Sequence, residues 1–215
     1  MDDATSPPDS AGGESLRRSE ATRSAILAGA LQVFARSGFE AASTRTIATE
    51  AGVHHALLRY HFANKEELWR AAITAMFERQ GEEFAALHAA QRIDPTTTEG
   101  MKEMVRRYVR YCAAHPEHAA ILVHEAIADT PRLDWAVDQF IRSNVSGFNK
   151  GLGEHTAAGR LRVEDPVLAG IILSAASQMV FVLRPHLRRV FHQDVGDPAF
   201  VERLADALVT MLFKD

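Results

Sequence analysis

The stretch from Thr44 to Lys65, TRTIATEAGVHHALLRYHFANK, constrains this chain more than any other. Its first half, Thr44 to Ala51, makes two turns of helix with Ile47, Ala48 and Ala51 on one face. Gly52 falls where a tight turn needs positive φ, a conformation that only a residue without Cβ adopts cheaply. Beyond the turn, Val53, Leu57 and Leu58 mark a second short helix, and the small Ala48 lets two helices cross at close range. That pattern is the logic of a helix-turn-helix, whose second helix enters the DNA major groove.

The rest of the chain is helical in pattern. Ile26, Leu27, Ala30, Leu31 and Phe34 follow a 3.6-residue period from a start near Ser19, and the helix stops at Ser37-Gly38, with Phe39 folding back on its last turn. Ser43 or Thr44 caps the next helix. Asn64 and Glu67 form a capping-box variant that opens a long helix running to about Ala90. Thr96 and Glu99 form a second box before Met101, Met104, Val105, Tyr108, Val109 and Cys112, whose spacing fits a helix and no strand. His115-Pro116, Thr130-Pro131, Asp165-Pro166 and Asp197-Pro198 each place Pro after a residue able to cap, the arrangement of a helix start. Nothing alternates long enough for a sheet, so the expectation is an all-α fold of about nine helices.

Charge is unevenly spread. Residues 1–15 carry four acids and no bases, and their Asp, Ser, Pro and Gly content reads as disorder. Residues 16–70 carry eight bases against five acids, so the basic excess coincides with the helix-turn-helix, as phosphate binding requires. The N-terminus lacks a signal-peptide pattern, which makes a cytoplasmic location the expectation. The lone Cys112 excludes an internal disulfide and sits on an apolar stripe, as a packed thiol does. The uncharged run Val167–Leu183 is too short for a membrane span. It reads as a helix buried on two sides, by its own core and by another subunit, with Ala169, Gly170, Ala175 and Ala176 allowing close approach and Arg184-Pro185 ending it.

From Arg23 to Leu68 the chain resembles the DNA-binding domain of the TetR (tetracycline-repressor) family of bacterial regulators. The resemblance rests on FARSGFEAAST closing the first helix, on TIATEAGV, and on YHFANKEEL leading into the long helix. One departure is that the family usually has Tyr two residues before the His of this motif. Here Arg59 stands there, followed by Tyr60. The resemblance implies a homodimer on double-stranded operator DNA, and repression relieved by a small molecule held in a helical C-terminal domain. The implied organisation is an acidic tail over 1–15, a DNA-binding domain over 16–66, and a ligand-binding and dimerisation domain over 67–215.

Carried over residue by residue, the recognition helix is His54–His61. His55, Ala56, Arg59 and Tyr60 would face bases, while Thr44, Arg45, His61 and Lys65 would meet phosphates. Arg pairs with guanine O6 and N7 in a two-pronged contact, and Ala56 or the Tyr60 ring can touch a thymine methyl. Thr44 can donate its hydroxyl to a phosphate at a helix N-terminus. The alternative readings are a solvated or acid-paired Arg59, and a Tyr60 that closes the small core beside Phe62.

The C-terminal part offers Met104, Tyr108, Trp135, Phe140, Phe148 and Met179 as walls of an apolar pocket, with Gln178, Asn144 and His124 as polar handles. The same apolar side chains would equally serve as ordinary core. Such walls suit a small, largely apolar effector. His115, His118 and His124 lie near Glu125, but their spacing does not place all three on one helix face, and there is no H-E-x-x-H. With no phosphate-cradling glycine loop and no nucleophile elbow, neither an enzyme nor a metal or cofactor is expected. The alternatives are a DNA-binding module without an effector and, behind it, a histidine-dependent helical enzyme.

Overall fold

The computed structural model describes residues 10–91 and 93–214. It is all-α, with one isolated antiparallel bridge between Leu161 and Phe213 among the described residues. The chain divides into two compact units within a single helix, the first ending at Ala75 and the second beginning at Met76.

The first unit holds α1 (Ser10–Ala41), α2 (Thr44–Glu50), α3 (His55–His61) and the start of α4 (Lys65–Gln91). Helix α1 begins at Ser10, ahead of the expected start near Ser19, so the stretch expected to be disordered is helical from Ser10 on; residues 1–9 lie outside the described residues. Gly38 breaks α1 with φ of 70°, and Phe39 stacks on Phe34 at 5.9 Å between ring centroids. The closing turn therefore forms as its Gly and Phe predict. Leu68, Trp69, Ala72 and Ile73 are buried in the first turns of α4, which places them in the first unit, past the expected boundary at residue 66.

The second unit continues from α4 through α5 (Thr98–Ala114), α6 (Pro116–Ala128), α7 (Pro131–Ala136), a π-helical turn (Val137–Ile141) and α8 (Arg142–Ala157). It closes with α9 (Pro166–Val182), α10 (Arg184–Phe191) and α11 (Pro198–Leu212). Four starts follow the sequence closely: Thr130, Asp165 and Asp197 each accept a backbone N–H at the head of their helix, and Asn64 accepts from Glu67 N while Glu67 accepts from Ala63 N. The box expected at Thr96 moves one residue. Asp94 takes both the N–H and the hydroxyl of Thr96, so Thr97 caps α5 instead. His115 occupies the cap position of α6, but its ring goes elsewhere, to Glu83 at 3.0 Å and Glu117 at 3.4 Å.

The core of the second unit gathers Met101, Val105, Val109 and Cys112 of α5 with Leu152, Leu173, Phe181, Ala205 and Leu208. Burial pushes the Cys112 thiol up to about 12, which makes it a packed and inert group. Ala169 and Gly170 turn inward: a Cβ on Gly170 would meet Asn149 Oδ1 at 2.6 Å. Those small residues thus serve packing against α8 within the subunit. The opposite face of α9 stays open, with Val167, Leu168, Ile171 and Ile172 between 41 and 58 % exposed. No single helix among the described residues is long and apolar enough to cross a membrane.

Candidate nucleic-acid interface

Local chemistry builds the motif first. Ser43 accepts from Thr46 N at the head of α2, and the turn that follows puts Gly52 at φ of 66°. Val53 N then donates to Ala48 O at 3.0 Å and closes the turn. His54 is the cap of α3, its Nδ1 accepting from Ala56 N at 3.3 Å, so the helix proper begins at His55. A further close approach lies at a place the sequence did not suggest. A Cβ on Gly29 of α1 would sit 2.9 Å from Ala51 N, so a glycine there lets α1 pass against the end of α2.

Leu58 anchors α3 at 1 % exposure, whereas its neighbour Leu57 is 46 % exposed. That orientation turns Ala56, Arg59 and Tyr60 outward together, and Tyr60 is 81 % exposed. A core role for Tyr60 is thereby excluded, while Phe62, at 3 % exposure, fills the core. Arg45 is exposed on α2 beside Thr46 and Thr49, and the three line a shallow groove with Glu50. Thr44 and His55, one at the head of each helix, join through Oγ1 and Nε2 at 3.0 Å. His61 is half-buried against the edge of Tyr60.

Lys65 departs from the phosphate role expected for it. Its ammonium donates to Phe39 O at 2.8 Å, Ala42 O at 3.2 Å and Glu40 O at 3.3 Å, and lies 4.3 Å from the Phe39 ring centroid. An ammonium has three donors, and all three are engaged here. Lys65 ties the end of α1 to the start of α4; it does not reach outward.

In the second unit, the expected ligand residues separate. The Gln178 amide donates to the Tyr108 hydroxyl, and burial pushes that phenol up to about 12. One residue before Gln178 on α9, the Ser177 hydroxyl is fully buried with no hydrogen-bond partner among the described residues. Trp135 meets Phe140 edge-on at 5.6 Å, and Phe140 of the π turn stacks on Phe77 of α4 at 4.7 Å and 12°. Met104 and Phe148 pack against the core, and Met179 is half-buried. His124 and Asn144 are exposed and line no interior wall, because α6 and α8 turn those positions to solvent. Of the other histidines, His118 is buried against Tyr111 and Phe77, and burial lowers it to about 3. A cleft of about 240 Å³ opens instead among Glu83, Phe84, Glu103, Arg107, Arg110 and Tyr111, which the sequence did not single out. Its only linear trace is the run of Arg and Tyr along α5.

A three-helix unit that offers an exposed Arg-Tyr face on the second helix of a helix-turn-helix defines a transcriptional regulator that reads DNA. Two family models fit the chain: bacterial regulatory proteins of the tetR family over residues 26–72, and the tetracyclin repressor-like C-terminal domain over residues 98–212. The chain belongs to the TetR family of transcriptional regulators. It is 24 % identical over 194 residues to the HTH-type transcriptional regulator RutR of Escherichia coli O157:H7, covering 90 % of each chain. Its fold is similar to that of HlyIIR, a hemolysin II transcriptional regulator, at 18 % identity and a TM-score of 0.66, over 92 % of this chain and 99 % of that one. The ketosteroid transcriptional regulator KstR2 of Mycobacterium tuberculosis matches at 19 % identity and a TM-score of 0.66, over 90 and 95 %.

Proposed function

We propose that the protein is a cytoplasmic, ligand-responsive repressor that binds a near-palindromic operator as a homodimer and leaves it when a small, largely apolar effector binds. The observation that carries the DNA reading is the outward set Ala56, Arg59 and Tyr60 on α3, flanked by Arg45 on α2. Arg59 makes no side-chain ion pair among the described residues, so its guanidinium is available to a guanine edge. Arg59→Ala is expected to weaken binding to a selected operator by about 1–3 kcal/mol and to blur one base position. A variant that bound every operator like the parent would place the reading helix elsewhere.

The open apolar face of α9 supports the dimer, since contiguous exposed Val, Leu and Ile on one helix mark an association surface. A two-fold dimer presents two recognition helices to half-sites about 34 Å apart, hence the near-palindrome. The second unit takes the effector. Tyr108, Gln178 and Ser177, whose hydroxyl has no partner among the described residues, supply hydrogen bonds within apolar surroundings, which suits an apolar body carrying one or two polar groups.

The switch runs through α4, whose first turns belong to the DNA-reading unit and whose later turns belong to the second. The π turn provides the handle: Phe140 stacks on Phe77, and an effector that repacks Trp135 and Phe140 pulls on α4. A hundredfold loss of DNA affinity needs about 2.7 kcal/mol of coupling, and operator must then weaken effector binding by the same factor. Phe140→Ala is expected to cut that mutual factor severalfold while operator affinity without effector stays near the parent's. Effector affinity measured with and without operator is the check. Equal values in the parent would leave a constitutive DNA-binding module.

A further inference from the structure

Helix α5 has two faces of different chemistry. Val105, Tyr108, Val109 and Cys112 turn to the core, whereas Glu103, Arg107, Arg110, Tyr111 and Ala114 recur at helical spacing on the other side. Glu83 and Phe84 of α4 lie against that second face, and the cleft of about 240 Å³ opens between the two helices. Its apolar lining is aromatic. The Phe84 and Tyr111 rings meet at 5.5 Å between centroids, and the Tyr111 hydroxyl is engaged by His118 Nδ1 at 3.1 Å.

The charges at the cleft are arranged unevenly. Arg110 grips Glu202 of α11 through two nitrogens at 2.7 Å, and Arg106 holds Asp206 of α11 at 2.8 Å. Those two guanidiniums anchor α5 to α11. Arg107 is far more buried, at 6 % exposure, and lines the cleft beside Tyr111. Its Nε lies 3.5 Å from the Glu103 carboxylate, which Arg110 shares at 3.0 Å. A guanidinium carries five N–H donors in a planar fork, a shape that suits a second carboxylate. Burial strengthens such a charge-assisted hydrogen bond.

We infer that the cleft binds a small aromatic carboxylate, its ring on Phe84 and Tyr111 and its carboxylate on the Arg107 fork. A cation fits less well, because Glu83 is drawn to His115 Nε2 at 3.0 Å and Glu103 lies between guanidiniums. Clefts for drug-sized ligands run to roughly 300–1,000 Å³, so the occupant here is a one- or two-ring body. This site is separate from the Tyr108–Gln178 pair, which lies across α5 on the core side.

The test is calorimetric titration of the full chain with naphthoate, beside neutral naphthamide and cationic naphthylmethylammonium. The carboxylate should bind once per chain. The amide should bind weaker by about tenfold or more, the loss of a charge-assisted hydrogen bond. Arg107→Met should weaken the carboxylate by a similar factor and leave the amide as in the parent, a charge-specific loss that unfolding does not produce. Ala114→Leu fills the cleft and leaves every charge in place, so it should abolish binding of both. Glu103→Gln should tighten the carboxylate by removing its competitor for the fork. Equal affinity for the three probes, or no binding of any, would overturn the inference. So would naphthoate binding that is lost in Gln178→Leu and kept in Arg107→Met and Ala114→Leu, which puts the ligand on the core side of α5.

Discussion

Ile171→Glu is expected to leave folded monomers that hold the operator weakly. Ile171 is 58 % exposed on the open face of α9, so the substitution removes nothing from the subunit's own core. In the proposed dimer, the same position is desolvated in both subunits. Each carboxylate then costs several kcal/mol to bury, and each isoleucine removed forfeits about 1.5–3 kcal/mol. Even a net penalty of about 5 kcal/mol raises the dimer dissociation constant more than a thousandfold. A monomer engages one half-site at a time, so operator affinity should fall with it. Sedimentation at micromolar concentration, beside an operator titration, checks both effects. A variant that stayed dimeric would remove α9 from the interface. Ala176→Arg is a poorer probe, because Ala176 packs against the core of its own subunit and its replacement would unfold the subunit before the dimer dissociated.

The second large effect falls on stability. Lys65→Met should destabilise the first unit by about 2–3 kcal/mol, since it removes charge-assisted hydrogen bonds to three carbonyls and a cation–π interaction. The carbonyls lie at the end of α1, where the helix dipole favours a cation, and Met keeps the length of the side chain without the charge. Urea unfolding followed through Trp69 in a Trp135→Phe background reports on this unit, since the chain has only these two tryptophans. The salt dependence of operator binding should be unchanged in the folded variant. Unchanged stability together with a salt slope shallower by about 0.9 would mean that the ammonium reaches a phosphate after all.

The recognition motif was legible because its requirements are local. Ser43 and Asn64 satisfy N–H groups three residues away, and Gly52 adopts a φ that its own missing side chain permits. Thr130, Asp165 and Asp197 likewise satisfy N–H groups two or three residues on at their helix starts. Where two local partners compete, the pattern slips: Asp94 captured Thr96 and passed the cap to Thr97.

Other features depend on which distant surfaces meet. Lys65 finds its carbonyls 23 to 26 residues back along the chain. Gly29 matters only because Ala51 lies against it. A helical period tells which residues share a face, not which face meets a neighbour, and so His124 and Asn144, expected as polar handles of a pocket, are exposed. The π turn that sets Phe140 on Phe77 leaves no sequence signature, since one extra residue per turn disturbs no apolar pattern strongly enough to be seen. Sequence alone determined the all-α fold and the helix-turn-helix, because capping, turn conformation and periodicity act within a few residues. Tertiary structure decided which cations remain free for DNA, because a side chain's availability depends on every element packed around it and not on its neighbours in the chain.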